Sequence, residues 1–369
     1  MEISVLFIAI LTSISCSILG VFLVLRKMSM MIDAISHTVL LGIVIAFMFV
    51  ADLSSPLLVV GATLMGLVTV FLTEFLVKTK RTTEDAATGV IFPLLFSLAI
   101  IIISKSYGGV HLDVDAVLLG KLELASFDQL VVNGVEIGPK LLYLMGGMLV
   151  INLVVTKLFF KEFKIVSFDS ALAATLGFAP WIINYLLMTL VSLTAVSAFN
   201  AVGTVLVIAL MIGPAITALL VTKNLSKTIL LSVGIGIFDS VIGYVLAIYY
   251  DVSIAGMIST VILVVFLLVL VFEPKKGILT TVIRRKIQKN EFAVTTLLMH
   301  IRNHTLSQEA SVETNVHEIY KELNWNKEYY NKCLNRAFNK QYITKESDLL
   351  RLTEIGDAYL KLKSKDFVR

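Results

Sequence analysis

Nine stretches of this chain are long and apolar enough to cross a lipid bilayer, and no other feature limits its fold as tightly. A helix needs about 20 largely apolar residues to span the hydrocarbon core. Such runs lie at about 4–25, 29–50, 57–77, 86–104, 140–160, 181–199, 201–222, 228–250 and 254–272. Inside hydrocarbon every backbone polar group must be bonded within the protein, so these runs predict helices. The seam between the sixth and seventh runs is only Phe199, Asn200 and Ala201. A count of eight spans with a re-entrant break is therefore the other reading. The expected fold class is an all-α membrane protein with eight or nine transmembrane helices.

The chain changes character after residue 273. Overall it is 57% hydrophobic and 16% charged, against about 25% charged for a soluble domain. Residues 274–369 nevertheless read as soluble, with 18 Lys and Arg against 11 Asp and Glu. The rest of the chain carries a small excess of acid, so the basic balance belongs to the tail. Two domains are expected, a transmembrane domain at 1–273 and a smaller one at 274–369. The linker Glu273, Pro274, Lys275, Lys276, Gly277 joins them. Positive residues follow the first, third, fifth, seventh and last runs, as Arg26 and Lys27, Lys78, Lys80 and Arg81, Lys161 and Lys164, Lys223 and Lys227, and Lys275 and Lys276. Loops rich in Lys and Arg stay in the cytoplasm, so the N-terminus is expected outside and the tail in the cytoplasm. Cys16 and Cys333 form neither a disulfide framework nor a metal-binding spacing. The N-terminus lacks the positive start of a cleavable signal peptide, so the first helix is expected to be retained.

Polar residues inside apolar runs carry the functional information. Asp33 and His37 in the second run are four residues apart and share a helix face. A carboxylate beside an imidazole is a sensible pair for a borderline divalent metal such as Mn²⁺ or Zn²⁺. An acid in a membrane costs about 2.5–3.5 kcal/mol on insertion scales, so it needs a partner or a function. The plainer alternative is that Asp33 caps the helix and His37 bonds a neighbour. Residues 164–178 form a short amphipathic helix on the cytoplasmic side, begun by Ser167 or Asp169 and ended at Gly177. It is either a surface connector or a docking helix for a cytoplasmic partner. Pro93 and Pro214 fall inside spans and are expected to kink them.

Three ordered segments carry a family resemblance. GVFLVLRKMSMMIDAISH at 20–37, SFDSALAATLG at 167–177 and AVGTVLVIALMIGPA at 201–215 resemble, in order, the second-helix signature, the coupling helix and a later signature span of the ABC-3 family of metal permeases. The resemblance covers residues 1–272. It implies a fold like that of the cobalamin-type importers and a dimer with a second permease copy or a related permease. It also implies an ABC ATP-binding subunit on the cytoplasmic side and an extracytoplasmic metal-binding protein on the other. The residues matching Asp33 and His37 line the translocation path in such permeases. Ser167, Asp169, Ala171, Leu176 and Gly177 fall in the coupling helix. No cofactor is implied beyond the transported divalent ion, with ATP used by the partner subunit. The chain itself has no phosphate-binding Gly-x-x-x-x-Gly-Lys-[Ser/Thr] loop, so it is not expected to be an enzyme.

Other polar positions are read with their plainer alternatives. His111, Asp113 and Asp115 lie in an outer loop whose spacing suits metal capture or a solvated acidic loop. The family usually has an acid before the Leu-Leu-Gly found at 118–120, so Asp113 and Asp115 mark a binding-protein docking loop. Asp239 sits mid-span, where it would pair across a dimer, wet a cavity, or be buried. The tail is read as helices at about 285–303, 313–323, 327–340 and 353–364, with a β-ribbon at 342–352. This resembles a winged helix, so a small cytoplasmic α(+β) domain is expected. Its third helix would present Lys327, Tyr330, Lys332, Arg336 and Lys340 as a basic face. That face suits anionic lipid headgroups or a protein partner; nucleic acid is disfavoured because a membrane tether restricts access to the chromosome. His300 and His304, four apart, with His317 nearby, are candidate metal sensors. The expected function is the permease subunit of an ATP-driven importer of Mn²⁺ or Zn²⁺, with Fe²⁺ as a further cargo, in the bacterial cytoplasmic membrane. A membrane-anchored metal-responsive regulator and an ion-driven secondary metal transporter are the rival readings.

Overall fold

The computed structural model describes residues 2–50, 52, 55–106, 122, 125, 128–132, 135–305 and 313–367. Nine helices among the described residues are long and apolar enough to cross a membrane. They are α1 (Glu2–Leu25), α2 (Met30–Val50), α3 (Pro56–Lys78), α4 (Glu84–Ser106), α5 (Lys140–Leu158), α8 (Pro180–Val202), α9 (Thr204–Val221), α10 (Leu225–Tyr250) and α11 (Ile254–Phe272). Two short helices, α6 (Phe160–Phe168) and α7 (Ser170–Thr175), connect α5 to α8. Just before α5 the chain forms a hairpin of β1 (Gln129–Val132) and β2 (Val135–Pro139). This hairpin lies between the fourth and fifth apolar runs, where the sequence reading placed an outer loop and assigned no strands.

Local chemistry accounts for several boundaries. Pro56 opens α3 at a position whose missing N–H would be unbonded anyway, and the Ser55 side chain accepts from the Leu57 N–H. Both α4 and α9 continue through Pro93 and Pro214. The seam between the sixth and seventh spans lies at Gly203, not at Asn200. The helix continues to Val202, Gly203 takes φ 82°, and α9 begins at the next residue. A left-handed residue is needed to stop one helix and start another without a loop, and glycine supplies it at low steric cost.

Helix α1 is the centre of the bundle. It packs against α9, α10, α5 and α8, and its Thr12, Ser13, Ser15 and Ser17 are wholly buried. Small side chains let helices approach closely where lipid supplies no hydrophobic drive. Gly20 shows how closely: a β-carbon there would lie 1.7 Å from the Met211 carbonyl oxygen on α9. Helix α2 packs in turn on α3 and α4.

The chain divides into two compact units, Met1–Lys276 and Gly277–Arg369. The second holds α12 (Ile278–His304), α13 (Ile319–Glu322), α14 (Lys327–Asn339), the antiparallel pair β3 (Ile343–Glu346) and β4 (Leu349–Leu352), and α15 (Glu354–Phe367). Val294, Leu297, Leu298 and Ile301 form the buried stripe of α12, at the spacing of one helix face, against Tyr330, Leu334, Ile343, Leu350 and Leu360. Helix α12 begins seven residues earlier than the sequence reading placed it, directly after the linker residue Gly277.

Candidate functional site

Asp33 lies in the first turn of α2, and His37 one turn further in. His37 Nε2 is 3.7 Å from Asp33 Oδ1. The His37 side chain is 35% exposed and that of Asp33 38% in the isolated chain, so both reach beyond the chain's own core. The imidazole is held from the other side by α4. Its ring stacks on Phe92 at 5.5 Å and meets the edge of Phe96 at 5.7 Å. Ser36 Oγ donates to the Asp33 carbonyl at 2.6 Å. Two aromatic rings thus fix the imidazole plane beside a partly exposed carboxylate. Among the described residues, no three His, Cys, Asp or Glu side chains are grouped to hold a metal ion. One chain therefore offers Asp33 and His37 as a pair of donors.

The segment read as a coupling helix is two helices. Asp169 ends α6 and caps α7, its Oδ1 accepting from the Leu172 N–H at 2.9 Å. The helix closes through Gly177 at φ 85°, with Gly177 N donating to the Ala174 carbonyl and Phe178 N to the Ala173 carbonyl. This is the Schellman arrangement, and it needs a left-handed residue at that point. Ser167 is not the cap. It sits inside α6, where its Oγ accepts from Arg26 Nε at 2.9 Å. Ala171, Leu172 and Leu176 are exposed, with Phe168 and Trp181 beside them in sequence, while Ala173 is buried. The short helix is therefore fastened by one small side chain and presents apolar side chains outward.

Arg26 was counted in the sequence only as a topology signal, yet it is the centre of a polar network. Its Nη1 donates to Asn184 Oδ1 at 3.0 Å. Asn184 Nδ2 donates to the Glu74 carboxylate, and Tyr185 OH donates to the other Glu74 oxygen at 3.2 Å. The loop after α1, the coupling segment, α8 and α3 are joined through these side chains. Burial draws the Arg26 guanidinium down to about 10, which leaves it charged at neutral pH. Glu74 and Asn184 would have been found by asking which polar residues interrupt apolar spans.

Other expected positions stand as follows. His111, Asp113 and Asp115 lie outside the described residues. Asp239 is wholly buried within the chain, with neither carboxylate oxygen bonded among the described residues. Burial inside one chain removes the expectation that it pairs across a dimer. Tyr330 does not join the basic face. It is 2% exposed, and its OH donates to the Val316 carbonyl at 2.9 Å, because 330, 333, 334 and 337 form the inward stripe of α14. Lys327, Lys332, Arg336 and Lys340 remain outside, with Lys332 paired to Glu328 at 2.7 Å. The His300 and His304 rings lie 4.6 Å apart. His300 Nε2 is 3.0 Å from the Glu313 carbonyl oxygen, and His304 Nδ1 bonds the Glu313 carboxylate. His317 does not join them; it lies 3.9 Å from Asp348.

The profile of the ABC 3 transport family matches residues 2–273. The chain is 41% identical over 356 residues to the zinc transport system membrane protein TroD of Treponema pallidum, covering 96% of this chain and 97% of that one. It is 40% identical over 275 residues to the manganese transport system membrane protein MntD of Bacillus subtilis, covering 74% of this chain and 93% of that one. Among solved structures, PsaBC from Streptococcus pneumoniae in complex with Fab matches with a TM-score of 0.61 at 30% identity, covering 74% of this chain and 91% of that chain.

Proposed function

This chain belongs to the ABC 3 transport family, and on that premise we propose that it is the membrane-spanning permease subunit of an ATP-binding-cassette importer for a divalent transition metal. The observation that carries the reading is the family match across the whole bundle, with the Asp33–His37 pair standing on one face of α2. Manganese and zinc are the cargoes that suit one carboxylate and one imidazole, and they are the metals in the names of the TroD and MntD relatives. ATP hydrolysis belongs to a separate subunit.

In the mechanism, an extracytoplasmic binding protein delivers the ion to the outer mouth of two permease copies, with the Asp113–Asp115 loop as its docking point. Two donors per chain make half a coordination shell, so Asp33 and His37 of both copies hold the ion in transit. Closure of the ATP-binding subunits moves α7 through its exposed Leu172 and Leu176. Arg26, bonded to Ser167 at one end and Asn184 at the other, carries that displacement to the start of α2 and to α8. The second unit is a cytoplasmic, winged-helix-like regulatory domain, and the His300–His304 pair is its sensing point.

The test is uptake of ⁵⁴Mn²⁺ and ⁶⁵Zn²⁺ by cells with and without this chain, and with Asp33→Ala or His37→Ala. Each variant is expected to abolish uptake while still co-purifying with the ATP-binding subunit. Near-normal uptake by either one overturns the assignment of the pair.

A further inference from the structure

Beside the α1–α2 loop, a cavity of about 240 Å³ opens among α3, α4 and α8. Two carboxylates line it, Glu74 from α3 and Glu84 from the start of α4. Glu74 is already held by Asn184 and Tyr185, but a carboxylate has about four acceptor positions, so it keeps capacity to bind. Glu84 Oε1 is buried with no hydrogen-bond partner among the described residues.

An independent observation points to a ligand here. Thr73, on the same cavity wall, is wholly buried, and its hydroxyl has no partner among the described residues. Threonines along the same helix settle their hydroxyls on a carbonyl one turn back, as Thr63 does on Val59 and Thr69 on Met65. Thr73 does not. Lys78 also lines the cavity, but among the described residues it forms no ion pair with either carboxylate. Three oxygen-bearing side chains therefore face one space with acceptor capacity unspent.

The location gives the cavity a role. Thr88 on α4 donates to the Met31 sulfur on α2, and Phe92 on α4 stacks on His37 of α2. The two helices thus advance side by side from Met31 to His37. Met31 lines the cavity, and Glu84 precedes Phe92 by eight residues, about 12 Å of helix. The direction from His37 to Glu84 runs toward Lys78, Lys80 and Arg81, the residues that mark the cytoplasmic side.

We propose that this cavity is a second divalent-cation site, formed by Glu74, Glu84 and the Thr73 hydroxyl, which receives the ion when it leaves Asp33 and His37. The proposal rests on the metal-import reading above. Oxygen donors, with space for retained water, suit a hard cation of the Mn²⁺ kind and hold it weakly enough to release. A hard site beyond the mixed Asp–His pair gives the ion a step toward the cytoplasm without a tight trap.

The experiment uses the purified full-length chain and Mn²⁺ alone, counting bound ions by loss of the free-ion electron paramagnetic resonance signal. All variants carry His300→Ala and His304→Ala, so that the tail pair does not contribute, and in that background the double variant Asp33→Ala/His37→Ala is expected to keep one class of saturable site. Adding Glu84→Gln to it should remove that binding, and adding Thr73→Val should weaken it several-fold in a protein whose shape is nearly unchanged. The proposal is overturned if the double variant binds no Mn²⁺, or if Glu84→Gln and Thr73→Val bind as their parent does. If the double variant binds as many ions as the chain altered only at His300 and His304, and Glu84→Gln lowers the count, the cavity site stands and the role given to Asp33 and His37 fails instead.

Discussion

At the scale of single residues, burial separates side chains that sequence alone treats alike. Asp33 and Asp239 are both acids within apolar runs. Asp33 reaches out of the core toward His37, whereas Asp239 is enclosed with no bonded oxygen among the described residues. A buried charge without a partner is costly, and a buried amide left unbonded costs about 1–3 kcal/mol in its turn. Asp239→Asn removes the charge and keeps the shape, so it is expected to leave metal uptake intact and to change stability by no more than about 3 kcal/mol. Thermal unfolding of the purified variant and a cell uptake assay check this. Loss of uptake from a normally folded variant would assign the carboxylate a part in transport. Arg26 shows the reverse case, a residue read as a charge marker that ties four segments together through Ser167 and Asn184.

At the scale of elements, α7 is the clearest instance of a helix fixed by local chemistry at both ends, and its proposed docking role depends on that. Its start depends on the Asp169 cap and its end on a left-handed Gly177. A helix of six residues has little stability of its own, so both ends matter. Gly177→Pro cannot reach a positive φ and is expected to lower both co-purification of the ATP-binding subunit and its stimulated hydrolysis. Leu172→Asp tests the surface instead of the shape. Leu172 is half exposed, so the chain should fold normally while docking falls at least tenfold. If both variants couple normally, α6 and α7 are only a connector. The same dependence on close packing appears at Gly20, where α1 and α9 leave no room for a β-carbon. That crossing holds together two of the three segments on which the family resemblance rests.

At the scale of the whole molecule, the boundary between Lys276 and Gly277 predicts separable roles. A chain ending after Gly277 is expected to reach the membrane at normal levels and to import metal. It should lose the dependence of uptake on cytoplasmic metal that is expected of the full chain. Uptake in cells grown with scarce and with abundant metal compares the two. Complete loss of uptake in the shortened form would make the second unit part of the transport machine, and identical responses would remove its regulatory role. The relative from Treponema pallidum bears on this. A match of 356 residues cannot fit within the first unit, so it extends well into the second. The tail is therefore a feature shared with a transporter relative and not peculiar to this chain.

The spans, their number to within one, the pairing of Asp33 with His37 and the glycine stop at Gly177 were all legible in the sequence, because each follows from spacing along one helix or from one local turn, whereas the choice of Asp169 over Ser167 as the cap and the break into two helices were not. Hydrocarbon makes helices obligatory, and a four-residue separation puts two side chains on the same face whatever surrounds them. The Asn200 seam moved to Gly203 because only backbone geometry reveals which residue takes a positive φ. Arg26, Asn184 and Glu74 were missed for a different reason. They lie far apart in the chain, and their meeting depends on how α3 and α8 pack beside the α1–α2 loop. Tyr330 went to the core, not the basic face, because burial is set by the partners of α14. The cavity at Thr73 and Glu84 is likewise a property of packing. An unbonded hydroxyl becomes visible only once every neighbour that might have satisfied it is in place.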